Sequence, residues 1–355
     1  MTNGPTIPTL HKELITSFFQ QVSEFYELAP WDLFGDSEYF GVLIPETKDI
    51  HFVSIMGGGG QCFGLATYRG IRGLMFLQDI LSGEEIDDPF EVRLEQEGLL
   101  FEYTTKKYLD EEDLKLLKMS GYKPLGTKAW PLIRNMKPGY VPWFPTTEDV
   151  QTLIRVLSAT TALVELIDED PDCLFNGDGK KFPIFVHHKK TNGWKLEFWG
   201  QRKIQSASIA NENPYLLTPV NELLLQKAKN LPQDKKLAIE LHDFFAREPV
   251  LEKDRPFYPR ICSLFEKGSG TCLGMEMISP EKDLSSEMRD LVLNQIVRGG
   301  SIPKSITVTK PEHFIGAITL EKALNIEIKF GTPEHGFEFE SDFRKKMEAD
   351  LFQEE

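Results

Sequence analysis

The chain has 355 residues, 41% of them hydrophobic and 27% charged, which is the composition of folded domains rather than of wholesale disorder. That length exceeds one ordinary core and implies two or three domains. A formal net charge of −15 repels phosphate backbones at long range, so non-specific nucleic-acid binding is disfavoured.

The first residues lack a basic stretch followed by an apolar one, so no secretory signal is expected. No run approaches the length of a membrane span either. Leu10–Leu28 reads as an amphipathic helix, with Leu14, Phe18, Val22, Phe25 and Tyr26 at helical spacing, Thr9 as its cap and Pro30 closing it. Three strands follow, at Tyr39–Ile44, Ile50–Met56 and Gln61–Tyr68. The second and third are joined by Gly57–Gly60. That glycine run is a hairpin turn and not a phosphate cradle, because a strand continues where a helix would have to open. A helix over Ile71–Leu81 leads into a carboxylate-rich stretch from Glu84 to Asp113, which reads as a solvated face. Within it lie a strand at Leu99–Thr105 and the start of a helix capped by Asp110 and closed by Gly121.

Trp130–Pro145 packs prolines among Trp130, Tyr140, Trp143 and Phe144, which predicts extended backbone. These four aromatics are candidates for an interaction surface, or for burial between domains. Thr146 and Asp149 form a capping signal for a helix over Thr147–Leu166. Asp168–Lys181, with Gly177 and Gly179, is the clearest boundary signal. Strands Phe182–His188 and Trp194–Lys203 turn at Asn192-Gly193, and a helix at Val220–Asn230 follows.

From residue 236 onward the predicted order is β-β-β-α-β-α-β-α. The strands are Lys236–Phe245, Tyr258–Glu266 and Thr271–Ile278. A helix then starts at Asp283 or Ser285 and ends at Gly299-Gly300. Strand Ser305–Thr309, helix Pro311–Leu324, strand Ile326–Phe330 and helix Ser341–Phe352 complete the chain. The fold class is thus mixed α+β and α/β, in several domains. We expect an N-terminal α+β domain over 1–168 and a C-terminal α/β domain over 235–355. The hairpin and helix of 169–234 belong either to the first or to a middle domain.

The C-terminal order resembles that of ribonuclease H-like and integrase folds. Such folds imply two divalent ions held by carboxylates at strand ends and on a helix. By position, the weak catalytic candidates are Asp243, Glu266, Glu287 and Asp342. The aspartate expected after the fourth strand is absent, since the chain there reads Val308-Thr309-Lys310-Pro311 and a lysine cannot ligate a divalent cation. The resemblance therefore implies a catalytically silent version.

Nothing else in the chain names a cofactor or a metal. Adjacent His187 and His188 point to opposite faces of a strand, and no G-x-S-x-G is present. Cys62, Cys173, Cys262 and Cys272 are scattered. Pairing outward from the Lys267–Gly270 turn sets Cys272 opposite Phe265 and Cys262 opposite Met275, a poor placement for a disulfide. Reduced thiols in a cytoplasm are expected. Finally, Phe25 through Asp36, Pro138 through Phe144, Arg255 through Arg260 and Gly300 through Lys304 are similar to an uncharacterised bacterial family built of two adjacent domains of unknown function.

Functionally, the chain reads as a non-catalytic binding or regulatory module for an unknown protein or small-molecule partner, with no membrane involved. The alternatives are a divalent-metal-dependent nuclease or phosphoryl-transfer enzyme with rearranged carboxylates, and a self-associating structural module.

Overall fold

The computed structural model describes residues 6–351 except 36, 83–87, 176–179, 189, 192, 210–218 and 253–254. Asp36, Gly177, Gly179, Asn192 and the first residues of the acidic stretch therefore lie outside the described residues. The chain divides into two units, one of residues Met1–Pro138 and Pro142–Pro214, the other of Gly139–Val141 and Tyr215–Glu355.

The first unit contains α1 (Lys12–Leu28), β1 (Tyr39–Leu43), β2 (Ile50–Met56), β3 (Phe63–Arg69), α2 (Gly70–Leu81), α3 (Pro89–Glu95) and β4 (Gly98–Thr104). It continues with α4 (Glu111–Ser120), β5 (Trp130–Met136), α5 (Thr147–Glu169), β6 (Lys181–His188), β7 (Gly193–Gly200) and α6 (Gln201–Ile209). One seven-stranded sheet runs in the order β5-β4-β3-β2-β1-β6-β7. Neighbours are antiparallel except β1 and β6, which are parallel. Period-two alternation divides the sheet's apolar side chains between two cores. Val53, Ile55, Leu65 and Phe101 pack with α1 and α5, whereas Ile50, Phe52, Ala66 and Tyr68 pack with α2 and α6. Pro131 is tolerated because β5 is an edge strand.

Helix α5 starts at the expected capping box of Thr146 and Asp149. It is long and apolar enough in composition to cross a membrane, and half of that stretch is buried in this core. Helix α1 is preceded by His11 in extended conformation rather than capped by Thr9. Residues 201–203, read from sequence as strand, open α6 instead, where Ile204 is fully buried against the α2 face of the sheet.

The second unit contains α7 (Glu222–Lys229), β8 (Gln233–Phe245), β9 (Val250–Glu252), β10 (Arg255–Phe257), β11 (Arg260–Glu266) and β12 (Cys272–Ile278). After these come α8 (Leu284–Gly299), β13 (Ile302–Val308), α9 (Pro311–Leu324), β14 (Glu327–Phe330) and α10 (Glu334–Leu351). Its five-stranded sheet runs β12-β11-β8-β13-β14. The three strands β8, β11 and β12 are antiparallel, and β13 and β14 lie parallel to β8. Counted along the chain without the short β9–β10 hairpin, that is the order 3-2-1-4-5 with two parallel crossovers, the ribonuclease H-like arrangement.

Helix α10 begins at Glu334, seven residues before the expected Ser341. A side chain at Gly336 would stand 2.4 Å from the Cβ of His242, so the glycine permits the helix to lie directly on β8. A bulge between Leu264 and Phe265 keeps Cys272 opposite Phe265 but sets Cys262 opposite Glu276 rather than Met275. All four cysteines are unpaired.

Residues Gly139–Val141 belong to this second unit. The Val141 N–H donates to Pro256 O (3.1 Å), the Tyr258 N–H donates to Gly139 O (2.7 Å), and the Tyr140 ring packs on Phe257 with centroids 6.1 Å apart.

His51 is buried inside the first unit. Burial, reinforced by the Arg69 guanidinium and opposed by Asp49, pushes His51 down to about 4. An unfolded chain takes up this proton near pH 6.5 and the folded one does not, so stability is lost as pH falls from about 6.5 to about 4. The expected loss over that window is about 3 kcal/mol, read from urea midpoints by tryptophan fluorescence. His51→Gln should flatten the slope, and parallel slopes for both proteins would contradict this account.

Candidate functional site

Strand β8 turns Ile239 and Leu241 toward the core shared with α8 and α9. By the same alternation Asp243 faces that side. Its cross-strand neighbour on β11 is Cys262. On the other flank β13 runs parallel, with Ile306 beside Ile239 and Thr307 beside Glu240. Extending this register carries Lys310, the residue preceding α9, level with Asp243. His313 then lies in the first turn of α9.

The side chains converge on one carboxylate. His313 Nε2 is 2.6 Å from Asp243 Oδ1, while Arg260 Nη1 at 2.6 Å and Lys310 Nζ at 3.2 Å donate to Oδ2. Side-chain exposure is 0% for Asp243 and His313, 14% for Arg260 and 36% for Lys310. Burial by itself would raise the Asp243 carboxyl. The charges of Lys310 and Arg260, together with the His313 bond, outweigh it and hold the group well below the usual carboxylate range. An ionised carboxylate only accepts, so His313 Nε2 carries the proton of that bond. Burial, with the Asp243 charge alongside, pushes the Cys262 thiol up, and it stays protonated and unreactive.

Of the four carboxylates named from sequence, only Asp243 lies here. Glu266 is four residues along β11 from Cys262, which is about 13 Å at strand rise. It accepts instead from Ser269 Oγ at 2.7 Å. Glu287 accepts from Lys282 Nζ at 2.9 Å in the first turn of α8. Asp342 is exposed on α10. That helix covers the other face of the sheet, where Phe339 and Phe343 pack on Phe244 and Ile261. Among the described residues no group of three or more His, Cys, Asp or Glu could hold a metal. The two divalent ions implied by a ribonuclease H-like fold do not fit this site, because one carboxylate is already saturated by two cations and a histidine.

Thr309 Oγ1 lies 3.5 Å from His313 Nδ1, giving an Asp–His–Thr sequence of contacts.

The four aromatics, candidates for an interaction surface or for burial, are divided between the two units. Phe144 is buried in the first unit beneath the Arg134 guanidinium, 4.8 Å from its ring. Trp143 is half-buried and donates its Nε1–H to Thr6 O at 3.2 Å, and Trp130 is half-buried on β5. Tyr140 is buried in the second unit. Sequence reasoning missed Arg260 and His313. A charged residue opening the apolar strand Arg-Ile-Cys-Ser-Leu-Phe was the available signal for the first. His313 had none beyond its distance of three residues from Lys310.

Residues 16–184 match the Domain of unknown function (DUF7309) and residues 224–336 match the Domain of unknown function (DUF6930), so two adjacent domains of unknown function are found. None of the curated proteins matches the chain. Among solved structures it is similar to the Mos1 transposase paired-end complex with left transposon end, at 12% identity over 52% of this chain and 67% of that one, with a TM-score of 0.18. The Mos1 strand transfer complex gives 12%, 52%, 66% and 0.19. A Bacteroides thetaiotaomicron protein with an actin-like ATPase fold and unknown function gives 10% identity over 84% of this chain and 92% of that one, with a TM-score of 0.17. The chain spans about two thirds of the length of the transposase chains. The strand order of the second unit, and not these similarities, carries its fold.

Asp243→Ala leaves Arg260 and His313 without their buried anion, and should cost about 3–5 kcal/mol in chemical denaturation. Lys310→Met removes a partner that is one-third exposed and screened by solvent, so no more than about 1 kcal/mol is expected. Equal losses for the two variants would show that the cluster is not centred on Asp243.

Proposed function

We propose that the protein is a non-catalytic binding or regulatory module whose ribonuclease H-like unit has exchanged a metal cluster for an ion-pair cluster. The observation that carries this reading is the saturation of Asp243 by His313, Arg260 and Lys310. In a two-metal site, positive charge would come from ions gripped by several carboxylates. Here Lys310 and Arg260 supply that charge covalently, and the remaining carboxylates lie elsewhere. The net charge of −15 supports a protein or small-molecule partner over a nucleic-acid backbone. Four unpaired cysteines support a reducing setting, and the family-like motifs support a bacterial cytoplasm as that setting.

Titration calorimetry of the full chain with Mg²⁺ and with Mn²⁺ should show no saturable site. Assays on single-stranded, duplex and hybrid substrates should show no cleavage above buffer. Metal-dependent cleavage that disappears in Asp243→Asn would overturn the proposal in favour of a rearranged nuclease.

A further inference from the structure

The first unit holds a second polar cluster, which does not depend on the reading of Asp243. A cleft of about 160 Å³ lies where the ends of β3 and β5 and the start of β4 meet the first turns of α5. His51, Arg69, Glu97, Asn135, Glu148 and Asp149 are among the residues that line it. At roughly 30 Å³ per water it has room for about five. Gly98 shapes the wall, because a Cβ there would stand 1.7 Å from Thr67 O.

Several of its polar atoms have partners. Asp149 accepts from the Thr146 N–H at 2.8 Å, Thr146 Oγ1 at 2.9 Å and Asn135 Nδ2 at 3.1 Å. Asp49 accepts from Arg69 Nη2 at 2.8 Å. Two donors are left over. Arg69 Nε is buried and makes no hydrogen bond. His51 is only 6% exposed, and its Nδ1 lies 3.2 Å from Thr67 Oγ1. That oxygen already accepts the Leu99 N–H at 2.9 Å. The Thr67 hydroxyl proton has no other acceptor among the described residues, so it goes to His51 Nδ1 and leaves the ring proton on Nε2. Among the described residues, that Nε2–H has no partner.

The charges around these donors restrict what can enter. Asp49, Glu97, Glu148 and Asp149 stand against Arg69 and Lys137, four negative charges against two positive, a net of −2. A simple anion is repelled by the surplus. A simple cation leaves the buried Arg69 Nε–H unsatisfied, at a cost of about 1–3 kcal/mol, and gives the His51 Nε2–H no acceptor. A ligand with both charges satisfies both demands. Its carboxylate accepts from Arg69 Nε–H and His51 Nε2–H, helped by the N-terminal dipole of the 23-residue α5. Its ammonium faces Glu97 and the exposed Glu148. We propose that this cleft is a binding site for a small α-amino acid in its zwitterionic form.

The test is titration calorimetry of the full chain near neutral pH with glycine and L-alanine, alongside acetate and ethylammonium, which each carry one of the two charges. Saturable binding of an amino acid, with neither single-charge probe binding comparably, is the expected result. His51→Leu should weaken binding at least about tenfold, the worth of one hydrogen bond to a charged group. Should that variant fold poorly, the ¹⁵N shift of His51 Nε2 in the unmodified protein replaces it, and addition of alanine should move it. The proposal is overturned by acetate or ethylammonium binding as tightly as alanine, by unchanged affinity in a folded His51→Leu, or by an Nε2 resonance indifferent to alanine.

Discussion

A carboxylate without access to water has to be neutralised or matched, and the second unit is arranged around that requirement at Asp243. The effective penalty for burying one ion is several kcal/mol. It is offset here by groups from three separate places: Arg260 at the start of β11, Lys310 just beyond β13 and His313 in the first turn of α9. Each bond is also a constraint on backbone position. Together they set how far β13 runs before α9 begins, and they fix the antiparallel and parallel neighbours of β8 at the same level.

The first unit handles a buried titratable group in the opposite way. His51 is kept neutral, and the threonine beside it determines which nitrogen holds the proton. At the cleft edge Arg69 pairs with Asp49. One unit therefore contains an ionised group with dedicated counter-charges, and the other a polar group whose ionisation is suppressed. The first arrangement locks a site shut. The second leaves donors pointing into open volume.

Much of the architecture was legible because it rests on local chemistry. The capping box at Thr146, the Asp283 cap and the turn between β11 and β12 each act within a few residues, and all stand where the sequence indicated. The element order from β8 onward gave the ribonuclease H-like arrangement without any knowledge of pairing. The site was legible only in part. Asp243 and the anomalous Lys310 could be named by position, but Arg260 and His313 reach the same oxygen atoms through register and helix phase. Neither quantity is written in any short stretch of sequence. The early start of α10 is hidden for a related reason, since the room that Gly336 leaves is taken up by His242, ninety-four residues away in the chain.

The short excursion of Gly139–Val141 into the second unit makes that unit discontinuous along the chain. During synthesis these three residues leave the ribosome more than a hundred residues ahead of Pro256, Phe257 and Tyr258, the partners that will receive them. They must wait until the rest of their unit has been made. For the same reason, recombination at a single point between the units cannot transfer the second one whole. It would arrive without the backbone that bonds to Pro256 and Tyr258, which favours inheritance of the two units as a pair.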